Sequence, residues 1–350
     1  MPPLLRVAVV GLGVGRAHLW AWKRLAPGVE IVAVCDHDDG RLQATAERFP
    51  TARAVNDLDD LLGSDDVDVV DLCTPPFLHV DQVQRALAAG HHVVCEKPVV
   101  GTVADVDTLQ RAADAAGRWV MPIFQYRYGD GLRKLRALVD AGLAGRLHTA
   151  TVEVAWKRGA DYYAAPGPSG REREAWRGTK DGELGGVLLT HAVHAIDMLT
   201  WIAGPVTGVA GARVATRVND IETEDCAAAV LELAGGALAT LSATLGSLVE
   251  ITRHRFCFER LTAESGTAAY TSSSDPWSFV GENQAGVDEV LAAYRPQPEQ
   301  FLGQFSALVA SRRDGGPLPV TLADARAAIA VVEAIHEAAA PGPSGRQRET

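Results

Sequence analysis

The sequence predicts an α/β protein in two parts, an N-terminal doubly wound parallel sheet followed by an α+β region with an open, mostly antiparallel sheet. Three observations carry this. Short β-branched runs alternate with helical stretches early in the chain, the order that a parallel sheet with crossover helices requires. A glycine-rich turn separates the first strand from the first helix. From about Leu147 the strands lengthen, alternate in part, and are joined by paired glycines.

In order, "RVAVVG", "EIVAVCD", "VDVVDLCT" and "HHVVCEKP" read as strands buried on both faces. "RAHLWAWKRLA", "RLQATAERF" and "LHVDQVQRALAAG" are the helices between them, and "VADVDTLQRAADAAGRWV" adds a helix and leads into another strand. In the second part, "RLHTATVEVAWK", "VTGVAGARVATRV", "DCAAAVLELAGGALATLSATLG" and "RHRFCFERLTAESGTAAYT" are the long strands. The helix "GGVLLTHAVHAIDMLTWIAG" interrupts them and stops at Gly204-Pro205. Two helices follow, the second capped by Thr321, and are free to pack back on the first sheet. The division expected is 1–125, 126–338 and a flexible tail, 339–350. "AAPGPSGRERE" (164–174) recurs as "AAPGPSGRQRE" (339–349), a duplicated Gly/Pro/Ser/Arg-rich insert rather than a fold repeat.

A net charge of −11 argues against a general nucleic-acid binder, and no apolar run approaches the roughly 20 residues of a membrane span. The five cysteines (Cys35, Cys73, Cys95, Cys226, Cys257) show no CxxC spacing, so a reduced, cytoplasmic protein is expected.

"VAVVGLGVGRAH" places Gly11 and Gly13 after a strand, with Val14 leading into a helix. A pyrophosphate can approach bare backbone there and meet helix N–H groups. Position 16, where a third glycine would fall, is Arg. The second strand ends at Asp36, whose carboxylate can accept from ribose hydroxyls and would repel a 2′-phosphate. NAD rather than NADP is the expected cofactor, with Arg41 able to soften the preference. In "VCEKPV", Glu96 and Lys97 follow a parallel strand at its carboxyl end, the crevice where such sheets bind ligands. Lys97 could stabilise charge on a reacting oxygen and Glu96 could hold it in place; a surface ion pair is the alternative on position alone.

"VVGLGVGRAH", "CTPPFLH" (Cys73 to His79), "CEKPV" and "GGVLLTHAVHAID", in this order and spacing, resemble the Gfo/Idh/MocA oxidoreductase family. The resemblance implies a Rossmann domain, bound NAD or NADP, and reversible oxidation of a secondary alcohol on a sugar, polyol or inositol. It makes Lys97 the catalytic lysine and places Thr74, Pro75 and His79 with the glycines, Asp36, Glu96 and Lys97 around the cofactor.

The family's helix commonly reads D-x-G-x-H-x-x-D; here the register is Thr190 to Asp197, with His194 retained as the proton acceptor and Thr190 in place of the aspartate. His191, about 100° round a regular helix from Thr190, is a second polar candidate or a packing histidine. No carboxylate or cysteine pattern completes a metal site with these histidines. Tyr126 and Arg127 are expected on the substrate side. Among Trp156, Lys157, Tyr162, Tyr163, Trp176 and Arg177, the choices for a sugar-binding wall are Lys157, Tyr163 and Trp176. A homodimer or homotetramer through the second region is expected, with no nucleic-acid or membrane partner. Loss of the aspartate keeps a non-catalytic NAD/sugar-binding regulator open. A glycosidase using NAD in a transient oxidation and a reductase of imines or other non-sugar carbonyls are the remaining alternatives.

Overall fold

The structure, a computed structural model, describes residues 4–164, 176–265 and 277–340. Nearly all of the duplicated insert and most of the expected tail lie outside these.

The first sheet is built from β1 (Leu5–Val10), β2 (Val29–Cys35), β3 (Arg53–Val55), β4 (Val69–Leu72), β5 (His92–Cys95) and β6 (Val120–Pro122). The order is β3-β2-β1-β4-β5-β6, with every pairing parallel. Helices α1 (Gly15–Lys23), α2 (Asp39–Ala46), α3 (Leu58–Leu62), α4 (His79–Ala88) and α5 (Val103–Ala116) make the crossovers. Strand β4 is buried throughout, because crossover helices cover both faces of such a sheet. The Thr102 side chain caps α5 by accepting from the Asp105 N–H, and Gly117, at φ +60°, ends it. The three-residue β3 is too short to leave a periodic signal.

After α6 (Asp130–Asp140), β7 (Leu147–Lys157) opens the second sheet. Short helices α7 (Ala160–Ala164) and α8 (Lys180–Glu183) and a π-helical turn, Leu188–Ala192, lead into α9 (Val193–Ala203). Then come β8 (Val206–Ala215), β9 (Cys226–Leu233), β10 (Leu238–Thr244), β11 (Gly246–Phe258), β12 (Leu261–Glu264) and β13 (Ser278–Gly281). Helices α10 (Gln284–Ala293), α11 (Gln300–Asp314) and α12 (Leu322–Ala339) follow. The order is β13-β12-β11-β7-β10-β9-β8; β7 and β10 run parallel, and the other pairs are antiparallel. One face packs on α9 and the other is open, so β9 and β10 alternate buried with exposed residues. Contrary to the expectation from apolar runs, Lys180–Ala203 is apolar enough on average to span a membrane; its most apolar stretch is 78% buried inside the protein.

The C-terminal helices fasten the two sheets together. Trp22 of α1 stacks on Phe305 of α11 with ring centroids 3.8 Å apart. Gln304 of α11 donates to the Pro122 carbonyl (2.8 Å) and accepts from the Phe124 N–H (3.0 Å), so it serves backbone groups that β6 leaves unpaired. On α12, Thr321 and Asp324 form a capping box, and Glu333 accepts from the Val103 N–H at 2.9 Å. Gln304→Leu is expected to cost about 1–3 kcal/mol by stranding both buried backbone groups. Denaturant unfolding checks this.

Candidate active site

A cavity of about 870 Å³ runs from the glycine turn, past the carboxyl ends of β4 and β5, to the wall made by β7 and the segment 176–191. At the first end Gly11 has φ +86°, and a Cβ there would lie 2.7 Å from the Cys73 carbonyl carbon. Only glycine lets the turn press this closely on the end of β4. A Cβ on Gly13 would meet nothing within 4 Å, so bare backbone faces open space at the start of α1. Gly11, Gly13, Val14, Thr74 and Pro75 all line the cavity, a cradle that fits a dinucleotide. Asp36 is buried there. It accepts from the Leu12 N–H at 2.7 Å and the Asp38 N–H at 2.9 Å, and pairs with the Arg41 guanidinium at 3.2 Å.

His79 differs from its expected place. It is fully buried, with Nε2 2.9 Å from the Thr74 carbonyl and Nδ1 3.0 Å from that of Pro98. It ties the cofactor-side loop to the loop after Lys97, and so shapes the cradle from behind.

Behind Lys97 lies a buried chain of charges that sequence reasoning missed. His18 Nδ1 is 2.9 Å from Asp71 and its Nε2 is 3.0 Å from Glu96, while Trp22 donates to Asp71 at 2.7 Å. Both His18 nitrogens face carboxylates, so both donate and the ring is a cation. Burial opposes that charge most, but Asp71 and Cys73 together raise the pKa well above 6.5. Burial likewise opposes the Glu96 carboxylate, but His18 and Lys97 hold its pKa below the usual value. Glu96 also accepts from the Lys97 N–H at 2.8 Å, which orients the lysine. His18, Asp71 and Cys73 converge as metal ligands could, yet the imidazole is already committed and burial pushes the Cys73 thiol up, away from the thiolate a metal needs. A carboxylate inside the apolar strand "VDVVDLC" was the available signal.

Lys97, half-buried, donates from Nζ to the Thr190 carbonyl at 2.7 Å. Burial, reinforced by Arg177 and Arg158, lowers its pKa, with Glu96 opposing. The Thr190 hydroxyl lies 2.7 Å from the Gly186 carbonyl, to which it donates, and 2.8 Å from His191 Nδ1. Its oxygen therefore accepts the Nδ1–H, and His191 Nε2 keeps its lone pair, with no hydrogen-bond partner among the described residues. Burial, then the charges of Lys97, Arg158 and Arg177, hold the His191 pKa well below 6.5. Gly186 anchors this arrangement: a Cβ on it would stand 1.9 Å from the Glu224 carbonyl oxygen.

The histidines thus exchange their expected places. Thr190 and His191 both line the cavity, whereas His194 is buried against Tyr126 (4.4 Å) and Phe124 (6.0 Å), with both ring nitrogens unpaired among the described residues. A π-helical turn at Leu188–Ala192 precedes α9, and from it the neighbours Thr190 and His191 both reach the cavity.

Four further substrate-side expectations move. Arg127 is buried and holds Asp197 through Nε at 2.7 Å and Asp324 through Nη2 at 2.9 Å, joining three segments rather than facing the cavity. Tyr126 packs on His194. Lys157 is exposed, because strand alternation sends its neighbours Trp156 and Arg158 to the cavity side. Tyr163 is buried at right angles to Tyr162, and Tyr162 takes the place on the wall with Trp176, Arg177 and Glu183.

Residues 5–124 match a family model described as "Oxidoreductase family, NAD-binding Rossmann fold", and residues 132–259 match the GFO/IDH/MocA C-terminal domain. The chain is 31% identical over 201 residues to inositol 2-dehydrogenase of Salmonella typhimurium, spanning 57% of this chain and 54% of that one. It is 28% identical over 247 residues to D-apiose dehydrogenase of Paraburkholderia graminis, spanning 69% and 60%. The chain thus matches little more than half the length of these curated relatives. The WlbA dehydrogenase of Bordetella pertussis, solved in complex with NADH and UDP-GlcNAcA, is similar at a TM-score of 0.83 and 27% identity, covering 96% of this chain and 97% of that one. With both its sheets matched in sequence and in architecture, the chain belongs to the GFO/IDH/MocA oxidoreductase family.

Proposed function

We propose that the chain is an NAD-dependent oxidoreductase interconverting a secondary alcohol and a ketone on a sugar, polyol or inositol. One observation carries the reading. Lys97 and His191, joined through Thr190, sit in the same cavity as the glycine turn and Asp36. The glycine turn and Asp36 would hold NAD, which would supply the acceptor for a hydride from the alcohol carbon. The Lys97 ammonium stabilises the negative charge growing on the alcohol oxygen. His191 Nε2 takes the hydroxyl proton. Thr190 is a positioning residue, fixing the tautomer that leaves Nε2 free. The relatives' names, inositol 2-dehydrogenase and D-apiose dehydrogenase, support the substrate class.

NADH formation by purified protein across sugars, polyols and inositols tests this. Turnover supports it. Cofactor binding without turnover on any compound contradicts it and favours the regulator, and sugar release without net NADH favours the glycosidase.

Asp36 supports NAD over NADP, since it occupies the ribose end and neutralises Arg41. Asp36→Asn is expected to raise the NADP/NAD ratio of kcat/KM about tenfold, corresponding to about 1.4 kcal/mol. Parallel assays with the two cofactors check it. A homo-oligomer fits the exposed Val230, Leu238 and Val280 of the second sheet, and free cysteines fit a reducing cytoplasm.

A further inference from the structure

The wall of the cavity around Lys97 carries more positive charge than a neutral sugar uses. Arg158 stands over the Trp156 ring at 4.6 Å and donates to Glu250 at 2.6 Å, so it is paired. Arg177 is different. Its guanidinium lies 4.4 Å from the Trp176 ring centroid and 4.6 Å from that of Tyr162, and its hydrogen bond goes to the Tyr162 hydroxyl. No carboxylate lies within ion-pair distance of it among the described residues. Glu183 lines the same cavity and attracts Arg177 and Lys97, but it forms no ion pair with either. Lys97, with its ammonium on a carbonyl, likewise has no carboxylate bonded to Nζ among the described residues.

Burial, then Lys97, Arg158 and Arg177, holds His191 uncharged, so three cations gather at this end of the cavity. Aromatic rings fix the plane of the Arg177 fork without neutralising it. A planar, oriented guanidinium on a cavity wall, with no carboxylate paired to it among the described residues, recognises an oxyanion through parallel N–H donors.

We propose that the substrate is an anionic sugar, with a carboxylate or phosphate ester received by Arg177 while the reacting hydroxyl lies at Lys97 and His191. This rests on the oxidoreductase reading above and narrows its substrate class.

Calorimetric titration tests it, using glucose, glucuronate and glucose 6-phosphate as matched probes, with and without saturating NADH. At least one acid is expected to bind tenfold or more tightly than glucose. The glucuronate and phosphate arms separate the two anion sources. Arg177→Gln should abolish that advantage, bringing the acid's affinity to that of glucose for the same variant; Arg177→Lys, which keeps the charge and loses the fork, should retain part of it. Circular dichroism confirms that both variants fold.

Equal binding of all three probes overturns the proposal. So does an acid preference that survives Arg177→Gln, or no binding by either acid. The titrations without NADH read the arginine even if the cofactor does not bind, and absence of NADH binding counts against the oxidoreductase reading instead.

Discussion

Lys97→Ala is expected to lower kcat for alcohol oxidation by about 10²–10³-fold, the usual cost of removing one donor to a developing oxyanion. NAD binding should change little, because the glycine turn and Asp36 are untouched. Glu96 holds the Lys97 backbone N–H at 2.8 Å and the Thr190 carbonyl receives the ammonium at 2.7 Å, so the charge has a defined position. Lys97→Arg should not restore activity, since a planar guanidinium cannot replace a compact ammonium in that space. Steady-state kinetics with calorimetric NAD binding separates the two effects. A Lys97→Ala protein with unchanged kcat would remove the lysine from the mechanism.

The second large effect separates the two histidines. His191→Asn is expected to lower kcat by about 10²–10⁴-fold, as loss of a general base does. His194→Leu should leave kcat within about threefold and hold or raise stability by about 1 kcal/mol, because it removes two buried, unpaired ring nitrogens.

The pH profile follows from the same geometry. The active form of His191 is the free base, and burial with three nearby cations lowers its pKa well below 6.5. kcat/KM should therefore stay level as pH falls through 6.5, where an exposed histidine would be half protonated, and decline only further into acid. The Lys97 pKa is lowered from 10.5, so the alkaline limb should begin below that value. Rates measured over the full range, with stability followed in parallel, check both limbs.

Much of the fold was legible because its signals are local. Strand–helix alternation, the glycine turn and the position of Asp36 each occupy a few consecutive residues, as does Glu96-Lys97 at the end of β5. What was not legible depends on phase or on distant contacts. Thr190 and His191 both reach the cavity while His194 packs on Tyr126 and Phe124, a choice set by contacts with distant residues and not by the helix period. At the end of β7 the two-residue period selects Trp156, and Arg158 just beyond the strand, and excludes Lys157. The Asp71–His18–Glu96 chain joins residues far apart in sequence, and Arg127 turned inward because the buried Asp197 needs a cation.

The central claim is that Lys97 and His191, not His194, serve hydride transfer to NAD. The most direct measurement is single-turnover NADH formation by wild type, His191→Asn and His194→Leu on the best substrate from the panel. The account predicts full NADH formation by wild type and His194→Leu, and a rate reduced at least about 10²-fold in His191→Asn. The reverse pattern, with His191→Asn active and His194→Leu inert, would contradict it.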